Sequence, residues 1–216
     1  MPRIPLFPLN LVLFPRQALP LRIFEERYKL MINRCIDESA PFGVVLIKSG
    51  DEVGGEAEPH DVGTTALVAK VQRLPDGQLN LIALGRRRFR ILVLDRSEVY
   101  LSADVEYLED TGATDESAAE RAEKVAPLFA EHFRLVMAIS SQWTREVSLP
   151  GEPARLADYV ASQLEAPVEV KQQLLETLSV PERLTLVNEL LGESIRKLTE
   201  RWEESRQRRF AGSALN

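Results

Sequence analysis

The sequence predicts an α+β fold, and three observations predict it. Residues 1–110 are rich in proline, glycine and short apolar runs that alternate as strands do, with one helical stretch among them. Residues 111–210 are almost entirely of helical period. Between them, the run Gly112-Ala113-Thr114-Asp115-Glu116-Ser117 interrupts both patterns and marks a boundary between a β-rich and a helical subdomain.

The opening segment carries prolines at 5, 8, 15 and 20. Each removes an amide donor, so an irregular or edge strand is expected here. Phe24 to Ile36 spaces its apolar residues three and four apart and reads as one helix between strands. Phe42 to Lys48 is a short strand. Ser49 to Pro59 combines three glycines with acidic residues and almost nothing apolar, the composition of a mobile loop. Thr65 to Leu74 and Gln78 to Leu84 form a hairpin around Pro75-Asp76-Gly77, where proline presets φ and glycine accepts a positive one. Phe89 to Leu94 and Tyr100 to Tyr107 complete the strands.

Asp115 and Glu116 favour the positive end of a helix beginning at the boundary. Ala118 to Met137 then lines Ala122, Val125, Phe129, Phe133 and Val136 along one face. Leu156 to Leu164 follows Pro153, and Val168 to Leu178 follows Pro167. From Pro181 to about Arg208, Leu184, Val187, Leu190, Leu191, Ile195 and Leu198 form a buried stripe. Residues 211–216 are expected to be a disordered tail.

Composition narrows the function. With 216 residues, 44% of them hydrophobic, the chain can build a sizeable core. It has no run of about 18 apolar residues, and its proline-rich start is unlike a signal peptide, so a cytoplasmic protein without membrane association is expected. Cys35 is the single cysteine, which excludes intramolecular disulfides and cysteine-rich zinc sites. A net charge of -6 and a pI near 5.2 argue against a general polyanion binder.

Catalytic patterns are missing. Gly54-Gly55 precedes acidic residues that would repel phosphate, and Gly85 is followed by arginines without the helix start a nucleotide loop requires. His60 and His132 stand alone in different halves, so no metal site is expected. No Gly-x-Ser-x-Gly elbow occurs, and Ser140-Ser141 reads as a helix end. Glu25-Glu26 and Glu203-Glu204 are adjacent pairs that point in different directions on a helix. The run Arg86-Arg87-Arg88-Phe89-Arg90 has two readings. Its arginines either fix the sheet and pair with carboxylates, or form a basic stripe for phosphate.

Ordered motifs then carry a resemblance. Ile4-Pro5-Leu6-Phe7-Pro8-Leu9, Val12-Leu13-Phe14-Pro15, Leu19-Pro20-Leu21 and Phe24-Glu25-Glu26-Arg27-Tyr28 resemble the opening of the Lon protease N-terminal domain family, especially its stand-alone bacterial members. Val62-Gly63-Thr64, Val71 to Gly77, and Gly85, Arg88 and Ile91 continue it. So do Leu156 to Ala161, Lys171 to Glu176, Arg183-Leu184 and Glu193. The resemblance runs from about Ile4 to Leu198. It implies a PUA-like β pseudobarrel with an embedded helix, followed by an all-α helical bundle. It also implies substrate recognition without the ATPase and the serine-lysine peptidase that follow in Lon, and so neither catalytic residues nor a cofactor.

The expected function is a non-catalytic module that recognises unfolded or hydrophobic polypeptide, or docks to a protease or chaperone. The candidate contacts are Phe7, Leu9, Phe14 and Phe24, in an apolar cleft at the joint of barrel and helices, with Glu25 and Arg88 as orienting groups. The stronger reading of Phe7, Leu9, Val12 and Phe14 is that they seal the barrel, because large apolar residues usually belong to the core. A PUA-like fold binding RNA or a small ligand is the rival reading, because fold alone does not decide function.

Overall fold

The computed structural model describes residues 1–52, 57–140 and 147–213, with side chains through Glu203. Two compact units result. The first comprises Met1–Glu109 with Ala166–Leu178, and the second Asp110–Glu165 with Ser179–Asn216. The centre of the expected 49–59 loop lies outside the described residues.

The first unit is a mixed sheet of β1 (Arg3–Leu9), β2 (Ala18–Ile23), β3 (Phe42–Ser49), β4 (Glu58–Arg73), β5 (Leu79–Asp95) and β6 (Ser102–Tyr107). The strand order is β2-β5-β4-β3-β1-β6, and a further pairing of β5 with β6 closes five of the six strands into a ring. Only β2 stands outside it. Strand β1 is not at the sheet edge, yet its prolines are accommodated. Arg3 to Pro5 pair antiparallel with β6, and Leu6 to Leu9 pair parallel with β3, so each half of β1 has its ladder on one side.

The expected hairpin is present but belongs to longer strands. Phe89 to Leu94, expected as a separate strand, is the second half of β5, which passes through Gly85 unbroken. Gly85 is required there, since a Cβ at this position would lie 2.3 Å from the Phe14 carbonyl oxygen. The backbone locks the crossing: Arg16 N–H donates to the Gly85 carbonyl at 2.8 Å, and Gly85 N–H donates to the Gln17 carbonyl at 2.9 Å.

Two apolar cores follow. Helix α1 (Glu26–Asp37) buries Tyr28, Met31, Ile32 and Cys35 against one sheet face, together with Leu19, Ile23, Leu79, Leu81 and Ala83. Inside the ring, Phe89 is surrounded by Ile4, Leu6, Val45, Ala103 and Val105. Burying such side chains contributes roughly 1.5–3 kcal/mol each.

Helices α2 (Glu116–Ile139), α3 (Pro153–Gln163) and α5 (Val180–Ser213) make up the second unit, and α5 extends three residues into the expected tail. Helix α4 (Val168–Glu176) has the helical period foreseen for it but groups with the sheet, not with the other helices. No described helix is long and apolar enough to cross a membrane.

The second unit is organised around Arg183, which is fully buried. Its Nη1 and Nη2 donate to Asp110 Oδ1 and Oδ2 at 2.9 Å each, a bidentate pair, and its Nε lies 3.3 Å from Asp158 Oδ1. One guanidinium thus ties the start of the unit to α3 and α5. Arg183→Met is expected to destabilise this unit by about 3–5 kcal/mol, because it leaves Asp158 buried without its cation. Urea unfolding checks this, and Arg183→Lys should recover only part of the loss, since an ammonium cannot make the fork.

His132 lies on the buried face of α2 with Phe129, and the two rings stack with centroids 5.9 Å apart. Burial lowers its pKa below the usual 6.5, against a weaker opposing effect of Glu165. The unfolded chain therefore binds this proton more readily than the folded one. The stabilisation from neutral His132 is complete above about pH 6.5 and is lost as pH falls below it. Thermal melts of the protein and of His132→Phe between pH 7.5 and 5 should diverge, the variant showing the smaller acid-side loss.

Candidate functional site

The features able to meet a partner lie where β4 and β5 run beyond the ring and β2 joins them. Pairing fixes which residues share a face. Ala18, Leu84 and Leu67 form one row across the three strands, Pro20, Ile82 and Lys70 the next, and Arg22, Asn80 and Gln72 the third. The alternate residues Leu19, Leu21, Leu81, Ala83, Val68 and Val71 point the other way and pack with the core beneath α1. The period of two thus leaves an outer face whose middle is apolar. Ile82 is 41% exposed. A groove of about 450 Å³ opens here, lined by Pro20, Leu21, Arg22, Lys70, Gln72, Asn80, Leu81 and Ile82.

Strand β2 borders this face and pairs on one side only, with β5. An edge strand tolerates the missing amide donor of a proline, which suits Pro20. The other edge of the projection is the β4 segment from Leu67 to Arg73, beyond the residues that pair with β3. There Arg73 Nη1 donates to Asn33 Oδ1 of α1 at 2.7 Å.

The residues singled out from sequence do not gather at one site. Phe7, Leu9 and Phe14 are 6%, 4% and 0% exposed, so they are core residues with no surface to offer a partner. Phe7 packs against Tyr28 and Phe42, with ring centroids 4.3 and 6.4 Å away. The Phe14 amide is held by Gln17 Oε1 at 2.9 Å. Sequence could not separate burial from display here, because both use large apolar residues. Phe24 alone of the four aromatic and aliphatic candidates is exposed, at 50%. Glu25 stands at the N-terminus of α1, where its carbonyl accepts from Tyr28 N–H and Lys29 N–H, and its carboxylate accepts from Arg27 Nε at 3.0 Å. It anchors the helix start.

Arg88 is buried, and its Nε donates to the Leu175 carbonyl near the end of α4 at 2.9 Å. Gln172 makes the matching contact from the helix, its Nε2 donating to the Val62 carbonyl at 2.9 Å. These two bonds hold α4 on β4 and β5. The remaining arginines of the run are dispersed. Arg87 pairs with Glu109 and lies over the Tyr107 ring at 4.3 Å, and Arg90 sits opposite Glu106. The structural reading of the run therefore accounts for Arg87 and Arg88. A basic stripe with Arg86, Arg88 and Arg90 on one strand face is interrupted, because Arg88 is covered.

The residues that sequence reading missed are Pro20, Leu67, Ile82 and Leu84. Their signal was present in the alternation across the hairpin, but alternation does not say which face a helix will cover.

A mixed sheet closed on itself, with one helix inserted after its second strand and further helices after its last, defines an α+β class of domain. The model of the ATP-dependent protease La (LON) substrate-binding domain matches residues 3–193, and the chain belongs to that family. It is 32% identical over 192 residues to a Lon protease of Anaeromyxobacter dehalogenans and 30% identical over 192 residues to Lon protease 2 of Myxococcus xanthus. Each match covers 88% of this chain but 23% of the protease, so the chain spans about a quarter of the length of these relatives. Two solved structures share the fold. The Lon N-terminal domain protein from Xanthomonas campestris superimposes with a TM-score of 0.60 at 24% identity, covering 86% of this chain and 96% of its own. The N-terminal domain of Mycobacterium avium complex Lon protease gives 0.62 at 21%, covering 88% and 98%.

Arg88→Met should lower the stability of the first unit by about 2 kcal/mol, since it leaves a buried carbonyl without its charged donor. Urea unfolding followed by hydrogen exchange of the strand amides in the first unit measures this.

Proposed function

We propose that this chain is a non-catalytic recognition module that binds unfolded or hydrophobic segments of other proteins on the outer face of β2, β5 and β4. In this reading it is a cytoplasmic protein whose first unit is a PUA-like pseudobarrel and whose second is a helical bundle. It acts alone as an adaptor or alongside a protease. The observation that carries the proposal is the pair of neighbouring rows holding Pro20, Ile82, Leu84 and Leu67 on the outer face of a projecting sheet whose strand β2 is at its edge. Apolar side chains of an extended segment can be covered there, and an edge strand can take up further backbone hydrogen bonds. Family membership supports the same reading, because the family is described as a substrate-binding domain.

The test is fluorescence anisotropy with a labelled, permanently unfolded polypeptide and its folded counterpart, without ATP, and with single-stranded RNA in parallel. The unfolded chain is expected to bind in preference, and Ile82→Asp to weaken it by roughly tenfold, the loss of about 1.4 kcal/mol. Ile82 is 41% exposed in a strand paired on both sides, so a thermal melt of the variant separates lost binding from the modest destabilisation that aspartate brings to a strand. Equal or absent binding of the two polypeptides, or RNA binding that falls with salt, would contradict the proposal.

A further inference from the structure

Charge around the groove is one-sided. Arg22 on β2 and Lys70 on β4 flank the apolar middle from opposite strands, and among the described residues no carboxylate lines the groove, in a chain whose net charge is -6. Both side chains belong to exposed residues. Several other cations of the first unit are paired with carboxylates: Arg27 with Glu25, Lys29 with Glu26, Arg34 with Glu38 and Arg96 with Glu58. By contrast, neither Arg22 nor Lys70 has an ion pair among the described residues. Arg22 Nε donates to the neutral Gln78 Oε1 at 2.8 Å. The other polar groups of the lining are the amides of Gln72 and Asn80, which can donate to an anion.

We infer that the groove selects extended polypeptide segments whose apolar residues are flanked by aspartate or glutamate. Arg22 and Lys70 lie two strands and one row apart, about 12 Å at the usual strand spacing and rise, which an extended segment spans in about four residues. A segment with carboxylates on either side of a short apolar stretch places its apolar side chains over Pro20 and Ile82 and a carboxylate at each cation. The inference rests on the polypeptide-binding reading above and adds the charge of the bound segment. It accounts for the missing carboxylates: unpaired cations cost the free protein little at an exposed site and repel basic segments.

Three labelled peptides with one apolar core and flanks of Asp, Asn or Lys distinguish the outcomes. At low salt the Asp-flanked peptide should bind roughly tenfold tighter than the Lys-flanked one, with the Asn-flanked peptide between them. The gap should close toward about 1 M salt, where the screening length falls to about 3 Å. Arg22→Glu combined with Lys70→Glu should reverse the order, with a thermal melt confirming the fold. The salt titration of the unaltered protein stands even if that variant unfolds. Equal affinity for all three peptides overturns this inference and leaves the apolar reading in place. Failure of all three to bind overturns that reading as well.

Discussion

Much of the first unit depends on the close passage of β5 beneath the Phe14 backbone at Gly85. No side chain fits there, and two backbone hydrogen bonds fix the crossing. Because of it, one 17-residue strand serves two structures. Its first half supports β2 and the projecting sheet. Its second half closes the ring with β6, carries Phe89 into the inner core and presents Arg88 to α4. A break at Gly85 would separate these into a loose hairpin and an open sheet, and an isolated hairpin is barely stable in water.

The same strand shows what sequence could and could not convey. Alternation and turn chemistry located the hairpin at Pro75-Asp76-Gly77, and helical spacing located the five helices found among the described residues, because these are local properties. The continuity of β5 was not visible. Glycine weakens a strand unless another backbone approaches closely, and the approaching Phe14 lies some seventy residues earlier in the chain. The placement of α4 was hidden for a similar reason. Its period identifies a helix, but Arg88 and Gln172, which decide what it packs on, read as an ordinary cation and amide until their carbonyl partners are known.

The candidate site follows this pattern. Conspicuous residues are committed to the interior, Phe7, Leu9 and Phe14 to the core and Arg88 to the α4 carbonyl, while Arg86, Arg87 and Arg90 of the run stay exposed and dispersed. Inconspicuous ones, such as Ile82 and Lys70, form the exposed face. A surface for binding must hold residues that the fold does not use, so strength of pattern in sequence favours core residues over contact residues. Family membership was legible from the ordered motifs.

The central claim is that a bound polypeptide covers the projecting face of β2, β5 and β4. Hydrogen exchange of the backbone amides, with and without a permanently unfolded polypeptide, tests it most directly. The account predicts added protection in residues 18–22, 67–72 and 79–84, with little change in 116–139 or 180–203. Protection confined to the helices or to the 86–90 stretch, with the projecting strands unchanged, would contradict it.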